Sequence, residues 1–516
     1  MTLSRQPFSL ALPWFRLALG AIVVASLGLR FWNLGQFNTL VFDEVYYPVF
    51  ANRYLSGEPV YNAHPPLSQL LLAASMWLGS HLPIGQDLAN TYTGSLRSTF
   101  SYRWLNALTG ACIPWVVGAI AYHLTYRYCF ALLAALFVAL DGLFLVESRY
   151  GLNNVYLVLF GLLGQLCVLR ALEPATLPAT LPRRRVRFYA ERRDRWLPGW
   201  SAGRSRYRRH PQLIWAGLCF GAAAGIKWNG LGFLLGIYLV WAASWLLALL
   251  APRPFSGRGR PTPTGPGSAR RPDFTQLNIL HVGGYLGILP AIAYWASWQP
   301  HLWLNPKPGF WEMQQRILSF HQAVGSGPDV HPYCSPWYSW LLMWRPVAYF
   351  YHTARDRFEL VPNYPELPAG VGRIIYDVHA MGNPWLWWLS TAAIALLLVL
   401  LVQPVLTGRL WQSNFTPTTA LSLFLIGNYA ANLLPWLRVT RCTFLYHYMG
   451  ALTFALLALA WLVDNWLQSP NWLYRQLGLL TIGLAIAAFC FWLPIYLGLP
   501  LTPDAYRLRM WFENWI

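Results

Sequence analysis

Long apolar runs separated by short polar breaks dominate this chain. They lie near residues 10–31, 104–122, 129–147, 151–171, 212–228, 230–250, 278–297, 385–404, 418–435, 444–464 and 475–498. Most approach the roughly 20 residues that a helix needs to cross a hydrocarbon layer about 30 Å thick. Only a helix or a closed barrel satisfies every backbone polar group in lipid. The unbroken apolar pattern therefore predicts an all-α polytopic membrane protein. The stretch 67–82, framed by Pro66 and Pro83, is shorter and predicts a helix lying at or dipping into the interface. The first run carries Arg16, lacks a small-residue cleavage site and precedes many more spans, so it reads as a retained helix rather than a removed signal peptide.

Composition agrees with the pattern: 56% of the 516 residues are hydrophobic, 16% aromatic and 11% charged, against about 25% charged in soluble domains. The formal charge of +19 is unevenly spread. Twelve arginines fall between Arg170 and Arg209, and five more (Arg253, Arg258, Arg260, Arg270, Arg271) lie in a Pro/Gly-rich linker. Basic loops between spans are held in the cytoplasm, where anionic headgroups also attract them. No recognition motif accompanies the charge, which argues against nucleic acid. Were 67–82 a span, both Arg-rich loops would face outward. Charge bias thus selects eleven spans, with the amino terminus inside and the carboxyl terminus outside.

That topology predicts three regions: a core of 1–298, containing a first outer loop (33–102) and the Arg-rich cytoplasmic loop (173–211); a second outer loop, 299–384; and a four-helix region, 385–516. The outer loops are long and aromatic, which suits function better than disorder. The seven cysteines are scattered, with no metal-ligand spacing; a Cys334–Cys442 disulfide does not follow from sequence alone.

The chemistry-bearing feature is Asp43-Glu44, a carboxylate pair in the first outer loop, followed by His64-Pro65-Pro66-Leu67. An enzyme on that face has no access to cytoplasmic nucleotide sugars, so an activated donor must arrive through the membrane. A polyprenyl-phosphate sugar fits, with cations at the outer span ends (Arg30, Arg103, Arg149, Lys227, Arg345, Arg438, Arg441) available for its phosphate. A phosphate leaving group departs without a proton, so one base suffices; Asp43 is the candidate, with Glu44 orienting groups around it. Plainer readings stand beside these. Acids favour helix amino termini, arginines at span ends snorkel to headgroups, and His-Pro-Pro can simply aim a helix. A lone histidine such as His321 reads as structural.

Taken together, the motifs resemble the protein O-mannosyltransferase family, polytopic enzymes of the GT-C glycosyltransferase class. The resemblance rests on Phe42-Asp43-Glu44-Val45, His64-Pro65-Pro66-Leu67, Arg30, Arg103 and Gly225-Ile-Lys-Trp-Asn-Gly230. It continues through His331-Pro-Tyr-Cys-Ser-Pro-Trp337, Trp344-Arg345-Pro346, Met381-Gly-Asn383-Pro-Trp385 and Arg441-Cys-Thr-Phe-Leu-Tyr446-His447-Tyr448. It implies a GT-C-type fold at the plasma (inner) membrane. The implied reaction transfers mannose from a polyprenyl-phosphate-mannose donor to Ser or Thr hydroxyls of proteins at the extracytoplasmic face, with inversion and Asp43 as base. Donor phosphate is expected at Arg30, Arg103, Arg149, Lys227 or Arg441. Substrate contacts are expected from His64, His331, Trp337, Tyr338, Arg345, Asn383, Tyr446 and His447. No metal or other cofactor is required by this scheme, although sequence leaves a divalent ion at Asp43/Glu44 open. The chain departs from the family in lacking the lumenal MIR domain, which points to the bacterial branch. It also has Asn154 where relatives often carry Asp, and its 173–211 loop is longer than expected. The rival readings are a GT-C enzyme acting on a glycolipid or polysaccharide, and a transporter or flippase.

Overall fold

A computed structural model describes residues 11–173, 204–250, 272–355, 372–406 and 417–516; the Arg-rich stretches fall largely outside them. Every apolar run becomes helical. Among the described residues nine helices are long and apolar enough to cross a membrane, from Leu12–Phe31 to Trp472–Leu497. The run 212–228 lies within Arg204–Ile226, whose amino-terminal turns are basic. The run 129–147 is not one helix. Tyr128–Ala139 and Gly142–Glu147 are divided at Leu140-Asp141, where Asp141 caps the second piece by accepting from Phe144 N at 3.1 Å. The helix Leu67–Ser80 has 14 residues, about 21 Å of rise, and is too short to cross.

Helix ends alternate between two faces. One face gathers the Arg127–Asp464 ion pair (2.6 Å), His123–Glu173 (2.6 Å) and the Arg209–Ala171 carbonyl contact (3.3 Å). These residues flank the Arg-rich stretch 174–203. The other face gathers the Asp43 loop, Glu147, Asn154, Lys227, Gly498 and the second outer loop, tied together by hydrogen bonds such as Gln36 Nε2 to Gly498 O at 2.8 Å.

Within the bundle, Met449–Leu467 runs through the centre with nearly every side chain buried, while Leu12–Phe31 is peripheral and exposes Trp14, Leu17 and Val24. An exposed apolar belt is costly in water and neutral in lipid. The interior carries sparse polar pairs between helices: Tyr156 Oη donates to Asn106 Oδ1 at 2.6 Å, and Gln165 donates to Asn428. Such bonds fix helix register where no hydrophobic drive does so.

Two small antiparallel sheets depart from the all-helical expectation. β1 (Ala89–Asn90) pairs with β2 (Arg97–Ser98), and β3 (Val347–Ala354) pairs with β4 (Ile374–Ala380) from Val347↔Ala380 to Ala354↔Ile374, with a register shift between Ala348 and Phe350 that leaves Tyr349 unpaired in the ladder. The second hairpin lies over the helix ends, with all seven residues of β4 buried. In the same outer loop, the helix Phe310–Ala323 exposes Trp311, Leu318 and Phe320 and buries Met313 and Ile317. A disulfide joins Cys334 to Cys442 (Cα–Cα 5.2 Å), so the second outer loop is stapled to the start of the last helical pair.

Candidate active site

After Phe31 the chain folds back on itself, and the carbonyls of Leu34, Gln36, Phe37 and Thr39 converge on the Arg103 guanidinium at 2.8–3.4 Å. Arg103 also grips Glu44 with both edges of its fork, Nε to Oε1 at 2.9 Å and Nη2 to Oε2 at 2.7 Å. Glu44 accepts from Val41 N at 2.9 Å and Gly151 N at 2.7 Å as well. Both side chains are completely buried. A side chain at 151 would lie 2.9 Å from the Tyr102 carbonyl oxygen, so glycine there is what lets the backbone N–H reach Glu44.

This pair fixes the short 3₁₀ turn Phe42–Val45, and it sends the neighbouring Asp43 the other way. Phe42 holds a left-handed φ of +52°, a costly conformation outside glycine, and its ring stacks on Tyr349 of β3 at 4.2 Å. The Asp43 carboxylate accepts no hydrogen bond from the described residues, while its backbone carbonyl accepts from Tyr46 N at 3.0 Å. It lies within electrostatic reach of Lys227, Glu147 and the hydroxyls of Tyr47, Tyr349 and Tyr446. Burial pushes its carboxyl up to about 6, against the opposing pull of the Lys227 ammonium.

Lys227 sits between two helices, at the turn before Trp228–Gly230. Its Nζ donates to Asn154 Oδ1 at 3.0 Å and lies over the Tyr446 ring at 5.4 Å. Asn154 Nδ2 in turn donates to Glu147 Oε2 at 3.0 Å, and the Tyr349 hydroxyl donates to the other Glu147 oxygen. From Lys227 a cavity of about 720 Å³ opens between the helices and the second outer loop. One end is polar, with His64, Lys227, His321, Arg438, Arg441 and His447; the wall beyond is apolar, with Leu231, Leu234, Leu235, Ile317 and Leu318. Burial holds His64 well below the usual imidazole range and His321 down to about 4, with Lys227 and Arg441 adding to both shifts. Both rings are therefore neutral hydrogen-bonding groups at pH 7. Arg441 donates to Cys442 O at 2.9 Å, and Cys442 N donates to Gly325 O at 2.7 Å, so the disulfide strand holds this cation at the polar end.

The model of the dolichyl-phosphate-mannose-protein mannosyltransferase family matches residues 20–185, and that of the C-terminal four-transmembrane region of protein O-mannosyltransferases matches residues 307–515. The chain belongs to the protein O-mannosyltransferase family. As a member, it is a membrane-embedded glycosyltransferase. It is 25% identical over 548 residues to a polyprenol-phosphate-mannose–protein mannosyltransferase of Mycolicibacterium smegmatis, covering 96% of this chain and 92% of the relative. It is 24% identical over 558 residues to the Corynebacterium glutamicum enzyme of the same name, covering 97% and 93%. Its fold matches a chain of the S. cerevisiae protein O-mannosyltransferase Pmt1-Pmt2 complex bound to the sugar donor, with a TM-score of 0.72 at 13% identity, covering 99% of this chain and 93% of that one. The GT-C-type architecture expected from the motifs is the architecture observed.

In this mannosyltransferase, Asp43, His64, Lys227, Arg441, Tyr446 and His447 do come together. Others serve elsewhere, and for Arg103 and Glu44 the reason is saturation. Arg103, expected to hold phosphate, has every edge committed to Glu44 and the loop carbonyls. Glu44, placed beside Asp43 as a catalytic group, has its lone pairs filled by four donors. Arg149 donates to the carbonyls of Leu29, Arg30 and Trp32 at 2.7–3.3 Å. Arg30 is fully buried and donates to Ser26 Oγ at 2.6 Å. Arg345 holds the carboxyl-terminal tail through Asn514 O at 2.7 Å, and Asn383 caps its helix while binding Ala485 O at 2.9 Å. His331 packs edge-on against Phe444, one ring away from Tyr446. Trp337 packs against the core and edge-on to the exposed Tyr338. Sequence reasoning missed Tyr47, Glu147, Tyr349 and the placement of His321. Of these only Glu147 left a signal, as a carboxylate at the end of an apolar run, where ionisable groups are costly.

Proposed function

We propose that this chain transfers mannose from a polyprenyl-phosphate-mannose donor to Ser or Thr hydroxyls of proteins at the extracytoplasmic face, with inversion and with Asp43 as general base. The observation that carries this reading is Asp43 itself: a half-buried carboxylate with no hydrogen-bond partner among the described residues, within electrostatic reach of the Lys227 ammonium, which lines a cavity cationic at one end and apolar beyond. The curated relatives are named for the same donor class and for protein acceptors. The isoprenoid tail occupies the apolar wall and the phosphate faces Lys227 and Arg441, with His64 and His447 as neutral donors. The acceptor oxygen attacks the anomeric carbon as the carbon–oxygen bond to phosphate breaks. The hydroxyl proton passes to Asp43, and the polyprenyl phosphate leaves with the electron pair, its charge met by fixed cations. A base near pH 6 is charged at neutrality yet stronger than an ordinary carboxylate. The charge rule, which favours a cytoplasmic Arg-flanked face, supports an outward-facing Asp43.

The test is transfer of radiolabelled mannose from polyprenyl-phosphate-mannose to a Ser/Thr-rich peptide by membranes carrying wild type or Asp43→Asn. Label on the peptide, reduced about 10²- to 10⁴-fold in the variant, is the expected result. Persistent label removes Asp43 from the base role. Label on lipid or polysaccharide alone moves the acceptor to another class.

A further inference from the structure

Glu147 and Asn154 lie outside the reaction described above, yet both are buried and both are joined to it. A carboxylate at the outer end of an apolar run is expensive to keep, and here its two oxygens are each taken by a side chain: the Tyr349 hydroxyl from the second outer loop and the Asn154 amide. The Asn154 carbonyl then accepts from Lys227 at 3.0 Å. Among the described residues this is the only hydrogen bond that the Lys227 ammonium makes, and no ion pair joins it to Asp43. That separation needs a cause. An ammonium near an unpaired buried carboxylate is drawn into contact with it, and contact would neutralise the base and withdraw the cation from the cavity. Asn154 is a neutral acceptor, so it restrains Lys227 without cancelling its charge. The Asn154 amide is itself held one link further away, by Glu147.

We propose that Glu147, Asn154 and Tyr349 form a positioning chain that holds the Lys227 ammonium between Asp43 and the cavity, available to the donor phosphate while Asp43 remains a free base. The chain closes on itself, because Tyr349 also carries the Phe42 ring, and Phe42 precedes Asp43. The second outer loop thereby sets both sides of the Asp43–Lys227 spacing. The inference rests on the proposed function and adds three residues to it.

The groups facing Asp43 are Lys227, Glu147, Tyr47, Tyr349 and Tyr446, with Arg441 behind Tyr47. Of these, Lys227 has the mobile charge, which gives the test its sign. In Asn154→Leu and Glu147→Gln the released ammonium moves onto Asp43. The acid limb of kcat/KM then shifts to lower pH, and the donor KM rises about ten- to a hundredfold, the worth of a buried bond to a charge. Lys227→Met removes the ammonium and must shift the limb the opposite way. Tyr349→Phe keeps the stack on Phe42 and loses only the hydroxyl, so it tests the chain with little risk to folding; a smaller shift in the same direction as Glu147→Gln is expected. The position of a pH limb does not depend on how much protein is folded, which separates positioning from stability. Limbs and donor KM at wild-type values in all three chain variants, with Asp43→Asn inactive, overturn the inference and leave the proposed function standing. Activity retained in Asp43→Asn overturns both.

Discussion

With its carboxyl pushed up to about 6 by burial, Asp43 is mostly ionised at pH 7 and mostly protonated at pH 5. A protonated carboxyl cannot accept the hydroxyl proton, so kcat/KM should fall on acidification through about pH 6, and a pH profile of peptide mannosylation measures it. Lys227 opposes the shift, so its removal in Lys227→Met raises the Asp43 pKa and moves the same limb upward. An unmoved limb would mean that the titrating group is not Asp43. At this scale the sequence singled out Asp43 as the candidate base, because a carboxylate at a membrane boundary has few structural reasons to exist. It could not disclose which cations were free. Arg103, Arg149 and Lys227 are alike as residues at span ends; only the folded loop shows that Glu44 and carbonyls take up Arg103 and that carbonyls hold Arg149.

Elements decide what those saturated residues do. The Arg103–Glu44 pair ties the first outer loop to Thr99–Thr125 and, through Gly151, to the turn before Asn154–Ala171. Removing one partner of a buried pair strands the other charge, at about 3–5 kcal/mol. Arg103→Leu should therefore lower the thermal stability of the purified protein, and Arg103→Lys should not restore it, since an ammonium lacks the fork that meets both oxygens. Arg441→Ala, at the cavity's polar end, should leave stability near wild type and raise the donor KM about tenfold. Thermal melts beside donor kinetics check both, and equal behaviour of the two variants would refute the division. The helices themselves were legible because a membrane makes length and apolarity nearly sufficient. The β3–β4 hairpin was not, since the composition of 347–354 and 374–380 resembles the aromatic loops around it. The break at Leu140-Asp141 was also hidden: Asp141 looks like a polar interruption, and only its bonds to Phe144 N and Asn383 N show that it ends one helix and starts another.

For the whole molecule, the alternation of helix ends makes sidedness a single choice: if the Asp43 face is outside, the Arg127–Asp464 face is inside. The proposed chemistry requires that choice, because a lipid-linked donor is needed only where nucleotide sugars are absent. Two exposed positions report on it. Tyr338 stands on the second outer loop, and Pro470 lies at the opposite end, in the turn before Trp472–Leu497. In spheroplasts treated with a membrane-impermeant maleimide, Tyr338→Cys should label in intact cells and Pro470→Cys only after lysis. The native free cysteines, of which Cys490 is exposed, are first replaced by serine. The reverse pattern would turn Asp43 toward the cytoplasm and take away the reason for a polyprenyl-linked sugar. The expected pattern would leave the twelve arginines from Arg170 to Arg209 inside, against anionic headgroups, where they act as an orientation signal for the entire bundle. On that account the longest basic loop of the chain serves the reaction from the far side of the membrane, by fixing which face the carboxylate occupies.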